Sequence, residues 1–577
     1  MFKNIKNKAT KSLSLKELVI GLDVGGTHTD VVLLDKKGII RQVKVPTDTS
    51  YLLESVWTGL ERVIKDVRPS DIKRLVLSTT LTTNAIVENK LPPVGMIVSS
   101  GPGLNPEFFR TCKHYYNVSG SIDHRGREIS SINEAQIEKI AQKLQSDEIS
   151  NVGIVTKFST RNPNQEKKIK KICENYFEYI VMGHSLSGNL NFPRRIATTY
   201  LNAAVFPVHK NFFEAVKNSL QKHGLNIPIY ILKADAGTIN FQTSLQSPGQ
   251  TILSGPAASV IGSMPFVSKN KDSIVLDIGG TTTDIAVFVN KAPLLDPNGI
   301  EIKGYKTSIR SLLSHSIGLG GDSVIRTENG KLMIGPDRKG KALAFGGPEP
   351  TPTDALFVLG EKIGNGDLNA SIKGFEKLAV TLDTTPQKAA QMAFNLTCKN
   401  ILQSAREMVD IINSKPVYTV HEMFEGLEVK PTEILVSGGP APYFASKLQS
   451  LSGMNVHVVP QWGVANAIGA ALARTTCQVS VFADTQQGIV SAPEENFSKK
   501  INKNYNKHDA VELALKLLHE KAINRGASSE DIETEVIECS EFNMVRGFYS
   551  MGKNIRVKVQ IKPGLIKNFQ NFLICSE

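Results

Sequence analysis

Cysteine is scarce in this chain: six residues in 577, at Cys112, Cys173, Cys398, Cys477, Cys539 and Cys575. None forms a C-x-x-C pair and none has a histidine at zinc spacing, which excludes a disulfide-stapled scaffold and a zinc module. Reduced thiols in a cytoplasmic protein are the expectation. Long apolar runs are missing as well, so no membrane-spanning segment is expected. Residues 1–14 are rich in lysine and serine but lack the apolar core of a secretory signal, and residues 1–17 are read as a flexible tail. A single aromatic residue, Tyr505, falls among the lysines of segments such as 167–171 and 499–507, too few for a stacking surface. The net charge of +12 is therefore read as a solvated surface that favours anionic ligands, with no nucleic-acid partner.

What the chain has in quantity is ordinary globular material, 41% hydrophobic and 21% charged, and that composition excludes a disordered polypeptide. Its length exceeds a single hydrophobic core and suggests three or four domains.

One stretch organises the rest. Residues 274–288 read I-V-L-D-I-G-G-T-T-T-D-I-A-V-F, an apolar strand that ends in Asp277, turns on glycines and threonines, and resumes as a second strand. Gly279 and Gly280 can adopt positive φ and present backbone N–H groups as an anion nest; Thr281 and Thr283 add hydroxyl donors, and Asp277 and Asp284 offer hard oxygen ligands. These are the parts that Mg-ATP requires. The pattern recurs near the N-terminus, where Asp23, Gly25, Gly26, Thr27, Thr29 and Asp30 repeat Asp277, Gly279, Gly280, Thr281, Thr283 and Asp284 at the same spacing, 254 residues earlier (277 minus 23). Such an interval holds a whole domain, so two similar domains are expected to face each other across a nucleotide cleft.

Between and beyond the hairpins, strand and helix patterns alternate. A hydroxyl-rich run, Ser78 to Asn84, follows an expected strand at 74–77; it exceeds what one helix cap needs, and Thr79, Thr80 and Asn84 become substrate-side candidates. A helix is expected over 193–221 with Asn202 inside it as packing, and the Ser254-Gly255-Pro256-Ala257 run opens another helix suited to an anion or to interdomain packing. Gly320 and Gly321 mark a third glycine-rich loop. Residues 335–342 imitate a P-loop, but Ala342 stands where Ser or Thr is required and Pro336 removes an amide, so a P-loop is rejected. Thr353 or Asp354 is expected to cap a helix at 355–359. Gly438 and Gly439 end a strand at 433–436, a backbone left bare enough for a flat base to slide over. From residue 475 the character changes to a linker near 496–507 and a small α+β unit without catalytic residues.

The order of these loops, D-V-G-G-T-H-T-D, S-T-T-L-T-T-N-A, S-G-P-A, D-I-G-G-T-T-T-D, G-G-D-S and G-G-P-A-P, resembles the hydantoinase A/oxoprolinase family of the actin-like, sugar kinase and Hsp70 ATPase superfamily. The resemblance covers roughly residues 18–474. It implies an α/β fold of two ribonuclease H-like domains, at 18–190 and 191–474, clamping ATP and Mg²⁺, with the small α+β domain at 475–577 appended. It further implies an ATP-dependent hydrolase that opens a cyclic amide such as a hydantoin or 5-oxoproline, working with a hydantoinase B-like partner subunit. Asp23 and Asp277 would be the metal-side carboxylates. Gly25, Gly26, Thr27, Thr29, Gly279, Gly280, Thr281 and Thr283 would hold the phosphates, with Gly320 and Gly321 beside them and Gly438 and Gly439 under the adenosine. Asp30 and Asp284 either serve the ligand or tie their hairpins together. A ketone carboxylase subunit, a small-molecule kinase and a nucleotide-binding switch are the competing readings. His28, where the family commonly has an aromatic residue, is expected to face solvent from an edge strand.

Overall fold

The computed structural model describes residues 17–26, 28–48, 51–414, 428–546 and 548–569. The N-terminal tail through residue 16, Thr27 and Cys575 lie outside them. Two sheets of like construction carry the hairpins. In the first, the order is Thr238–Asn240, Ile229–Leu232, Ile72–Thr79, Leu18–Val24, His28–Asp35 and Gly38–Pro46. In the second it is Ala292–Pro293, Thr283–Val289, Asp272–Ile278, Pro431–Ser437 and Asn455–Val458, with Ser314–Ile317 also paired to Thr283–Val289.

Each leading strand is an apolar run buried on both faces; every residue of Leu18–Val24 is buried, as a strand covered on both sides requires. It pairs antiparallel with its hairpin partner and parallel with the next strand, and the registers coincide: Asp23 lies opposite Asp30 and Ser78, and Asp277 opposite Asp284 and Ser437. The hairpin repeat in the sequence is therefore a repeat of three strands.

The first sheet is interrupted. Between Ile72–Thr79 and its parallel neighbour Ile229–Leu232 the chain builds a separate four-stranded parallel sheet, Tyr179–Met182, Asn151–Thr156, Gly95–Ser99 and His114–Asn117, with helices Glu134–Ser146 and Asn164–Cys173. The 31-residue helix Phe192–Lys222 brings the chain back. The boundary expected at 190/191 thus does not coincide with a sheet boundary: strands at 229–240 complete the first sheet. Local propensity carries no record of which distant strand a segment will pair with.

The C-terminal unit is a five-stranded antiparallel sheet, Phe497–Lys500, Ile489–Ala492, Gln478–Asp484, Tyr549–Ile561 and Thr534–Arg546, packed on helix Lys507–Asn524. Part of the expected linker is a strand, since Phe497–Lys500 pairs with Ile489–Ala492; its lysines read as linker because an edge strand exposes them. The described cysteines Cys112, Cys173, Cys398, Cys477 and Cys539 are unpaired thiols.

Two helices, Ser254–Ser263 and Ala465–Leu472, cross between the two sheets and join them. Their contact is backbone on backbone. A Cβ at Gly469 would stand 2.2 Å from Ala258 O, one at Gly262 2.3 Å from Ala465 O, and one at Gly21 in the first strand 1.9 Å from Ala467 O. Gly469→Ala is expected to destabilise the chain by about 1–3 kcal/mol, the usual cost of overpacking a close contact. Gly38→Ala, whose added Cβ meets no atom within 4 Å, should be nearly neutral. Urea denaturation of the two variants side by side decides it, and equal midpoints would refute the close-packed joint.

Candidate functional site

The two hairpins open onto one cavity of about 1090 Å³. Asp277, Gly279, Gly280 and Thr281 line it from the second sheet, and His28 and Asp30 from the first. At its base Asn466, the second residue of helix Ala465–Leu472, faces both Asp23 and Asp277 and favours the ionised form of each. Burial works the other way. Desolvation pushes the Asp23 carboxyl up to about 7, against the Ser78 hydroxyl and with the added charge of Asp30. Desolvation also raises Asp277, opposed by Ser259, Asn466 and Ser437. Asp284 rises to about 7 through burial and the nearby Asp277 charge, with Ser316 opposing. Asp30 is raised by burial but held by Lys44, whose Nζ lies 2.7 Å from its carboxylate and donates to Gly463 O at 3.1 Å.

Four carboxyl groups thus crowd the two turns with one lysine among them, and each raises the cost of ionising its neighbours. Among the described residues no group of three His, Cys, Asp or Glu side chains is placed to hold a metal ion. A pair of carboxylates does fit Mg²⁺, which keeps several waters and takes its remaining ligands from phosphates.

The hairpin glycines differ from expectation in conformation. None of Gly25, Gly26, Gly279 and Gly280 is left-handed. The amides of Gly25 and Gly279 close their own turns, donating to His28 O at 3.1 Å and Thr282 O at 2.9 Å. In the second hairpin the requirement is clearance for the loop carrying Gly320 and Gly321. Gly321 N donates to Gly279 O at 2.9 Å and Asp322 N to Gly280 O at 2.7 Å, while a Cβ at Gly320 would lie 2.5 Å from Gly279 O and one at Gly280 2.7 Å from Asp322 Oδ2. Gly320 and Gly321 therefore brace the turn rather than line the cavity. Gly438 does take positive φ, +92°, and its Cβ would stand 2.2 Å from Ile278 O; with Gly439 it lines the cavity.

The threonines divide similarly. Thr281 is exposed to the cavity. Thr283 and Thr29 are fully buried, with Thr283 Oγ1 donating to Leu319 O at 2.6 Å and Thr29 Oγ1 bonded to Thr47 Oγ1 at 2.9 Å. Strand alternation turns both inward, so these hydroxyls hold their hairpins in place of the expected phosphate contact.

Thr79, Thr80 and Asn84 meet Gly25 and Gly26 around a second, smaller cavity of about 280 Å³. Asn84 Nδ2 donates to Thr80 Oγ1 at 3.3 Å, and Thr79 Oγ1 accepts from Leu81 N at 3.1 Å. Ser254 Oγ donates to Thr79 O at 3.0 Å, so the S-G-P-A run acts in packing against this segment.

Several cavity residues escaped the sequence reading. His28 is exposed as expected, but it lines the cavity from a strand inside the sheet, and burial with the charges of Lys44 and Lys341 lowers its basicity. Arg338 and Lys341 reach the cavity from the segment rejected as a P-loop, Arg338 pairing with Asp322 at 3.0 Å. Asp354 is not the N-cap of its helix: Thr351 is, and the buried Asp354 carboxylate accepts from the amides of Leu343, Ala344 and Thr351, fixing this segment at the cavity wall. No single-residue signal marks Asn466, which sits in a helix of small apolar residues.

Two matched sheets, paired acidic hairpins and a shared cavity define a two-lobed mixed α/β protein. Its fold is that of the nucleotide-free acetone carboxylase structure, with a TM-score of 0.69 and 17% identity over 96% of this chain and 89% of that one. The ATP-dependent caprolactamase from Pseudomonas jessenii superposes with a TM-score of 0.70 at 17% identity, over 95% and 88% of the two chains. Residues 19–177 match the hydantoinase/oxoprolinase N-terminal region and residues 195–479 the hydantoinase/oxoprolinase model, so the chain belongs to the hydantoinase/oxoprolinase family. In sequence it is 22% identical to 5-oxoprolinase 1 from Arabidopsis thaliana over 78% of its own length, which spans 41% of that relative.

The raised Asp23 carboxyl fixes the sign of a pH effect. Its native pKa, about 7, exceeds the unfolded value, so its contribution favours folding at low pH and is lost as pH rises through about 4 to 7. Asp23→Asn removes this loss. In the nucleotide-free protein the variant should gain stability over wild type between pH 5 and pH 8, by on the order of a few kcal/mol in urea denaturation; parallel profiles would contradict the uncompensated carboxylate.

Proposed function

We propose that the chain is an ATP-dependent hydrolase, or the ATPase subunit of one, that opens a small cyclic amide such as a hydantoin or 5-oxoproline. The observation that carries this reading is Asp277 and Asn466 on the wall of a nucleotide-sized cavity, with the desolvated Asp23 buried behind them and linked to Asp277 through Asn466. Family membership supplies the reaction class, and the names of relatives, caprolactamase subunit alpha and 5-oxoprolinase, agree with it.

Asp23 and Asp277 would hold Mg²⁺, directly or through water, in two ribonuclease H-like lobes. Gly279, Gly280 and Thr281 form the wall along which phosphates would lie, and Lys44, Arg338 and Lys341 provide positive charge at its rim. Gly438 and Gly439 leave a bare surface for the adenosine. ATP would supply its γ-phosphoryl group to the amide oxygen and leave as ADP; water would then add at the carbonyl carbon, and the ring C–N bond would break as phosphate departs. The chain's own part is to position reactants and balance charge, the usual protein contribution to phosphoryl transfer. Thr79, Thr80 and Asn84 would orient the cyclic amide in the smaller cavity beside Gly25 and Gly26.

Relatives named as subunits, among them caprolactamase subunit alpha and acetone carboxylase beta subunit, favour a separately encoded hydantoinase B-like partner. The acetone carboxylase fold and sequence likeness also support a second reading, an ATP-dependent ketone carboxylase subunit. No described helix is long and apolar enough to cross a membrane, and cytoplasmic action is part of the proposal.

Phosphate release from Mg-ATP, measured with 5-oxoproline, hydantoins, caprolactam and acetone, should be stimulated by a cyclic amide and fall by about a hundredfold or more in Asp277→Ala. Stimulation by a ketone with bicarbonate alone selects the carboxylase reading, and absence of ATP binding rejects both. Asn84→Ala should raise the KM for the stimulating amide several-fold while leaving ATP affinity unchanged; an unaltered KM would remove Asn84 from the substrate cavity.

A further inference from the structure

A second concentration of charge lies away from the hairpins, where the first sheet, the helix Phe192–Lys222, the segment before Ser314–Ile317 and the C-terminal sheet meet. Lys233, Arg310 and Arg525 converge there on a cavity of about 40 Å³, walled by Ser247, Gln250 and Ser308. One buried carboxylate answers the three cations. Lys233 Nζ lies 3.1 Å from Asp235 Oδ2 and donates to Thr476 O at 2.9 Å, and Arg310 Nη1 stands 3.2 Å from the same Asp235 oxygen. Lys521, the next cation outward, is already paired with Glu495. The surplus of positive charge acts on its surroundings: burial and the Arg525 and Arg310 charges lower Lys233 to about 8 even beside Asp235.

The same wall carries buried donor atoms without a hydrogen-bond partner: Arg310 Nε, Ser247 Oγ and Ser308 Oγ. Buried polar atoms are ordinarily satisfied, and several unsatisfied ones around one space indicate a missing ligand. Water would satisfy hydroxyls but leaves the charge excess in place. An anion answers both, and a guanidinium edge is suited to paired oxygens. Size narrows the class: at roughly 10–15 Å³ for each water-sized position, the space holds about three to four oxygens. A planar oxyanion fits it with room to spare, whereas a tetrahedral one would fill it completely.

We propose that this cavity binds a small planar oxyanion, bicarbonate or the carboxylate of a one-carbon acid, held by Arg310, Ser247 and Ser308 at the seam of the chain's structural units. The site is independent of the nucleotide reading. Ser247 and Ser308 make the test clean, because their hydroxyls bond no other group of the protein, so Ser247→Ala and Ser308→Ala should leave the melting temperature of the anion-free protein nearly unchanged.

Thermal unfolding of the full chain, at constant pH and ionic strength, would be followed against bicarbonate, formate, phosphate, sulfate and chloride. A saturable rise is expected with bicarbonate or formate and not with chloride, and each serine variant should require roughly tenfold more anion for the same rise. A rise with bicarbonate alone means that the third oxygen is recognised; an equal rise with formate means that the carboxylate edge suffices. No saturable rise beyond chloride, a rise indifferent to both serine variants, or a stronger variant-sensitive rise with phosphate or sulfate would each overturn the proposal.

Discussion

The site depends on the backbone contact between helices Ser254–Ser263 and Ala465–Leu472. Gly262, Gly469 and Gly21 let main chain touch main chain where any side chain would force the units apart. Because Asn466 is the second residue of one of these helices, the approach that joins the lobes also sets its amide between Asp23 and Asp277. Packing and electrostatics are thus one arrangement. Carboxylates this desolvated persist only where surrounding contacts fix them, and here those contacts come from both lobes.

The hairpins were legible because their chemistry is local: strand, aspartate, glycines and threonines repeat at identical spacing. The sequence also held a further correspondence, L-V-L-S at 75–78 against I-L-V-S at 434–437, which pairs Ser78 and Ser437 opposite the two aspartates. A four-residue apolar match carries little weight until register aligns it. The conformation of the glycines was not legible for a related reason. Residue type permits positive φ and close approach alike, and only the loop stacked on Gly279 and Gly280 distinguishes them.

Thr29 and Thr283 show a second limit. Their hydroxyls point into the lobes by the two-residue alternation of the strand, a fact available from sequence once the start of each strand is fixed. His28, Lys44, Arg338 and Lys341 were harder, since they reach the cavity from segments with ordinary local patterns. Lys44 enters through its register opposite Asp30, and Lys341 through a segment anchored by the buried Asp354. Together they give a cleft acidic at its floor and basic at its rim, two zones suited to a metal and to phosphates. The interrupted first sheet escaped the boundary reading because pairing over 150 residues leaves no local mark.

That long-range closure governs how the protein is made. Strand Leu18–Val24 is buried against helix Ala465–Leu472, which is synthesised about 450 residues later. At roughly 5–20 residues per second the wait is roughly 20–90 s. Throughout that interval one face of the first sheet lacks its cover. The inserted parallel sheet at 95–182 has all its strands before that helix and can settle first, whereas the acidic cleft waits for Ala465–Leu472.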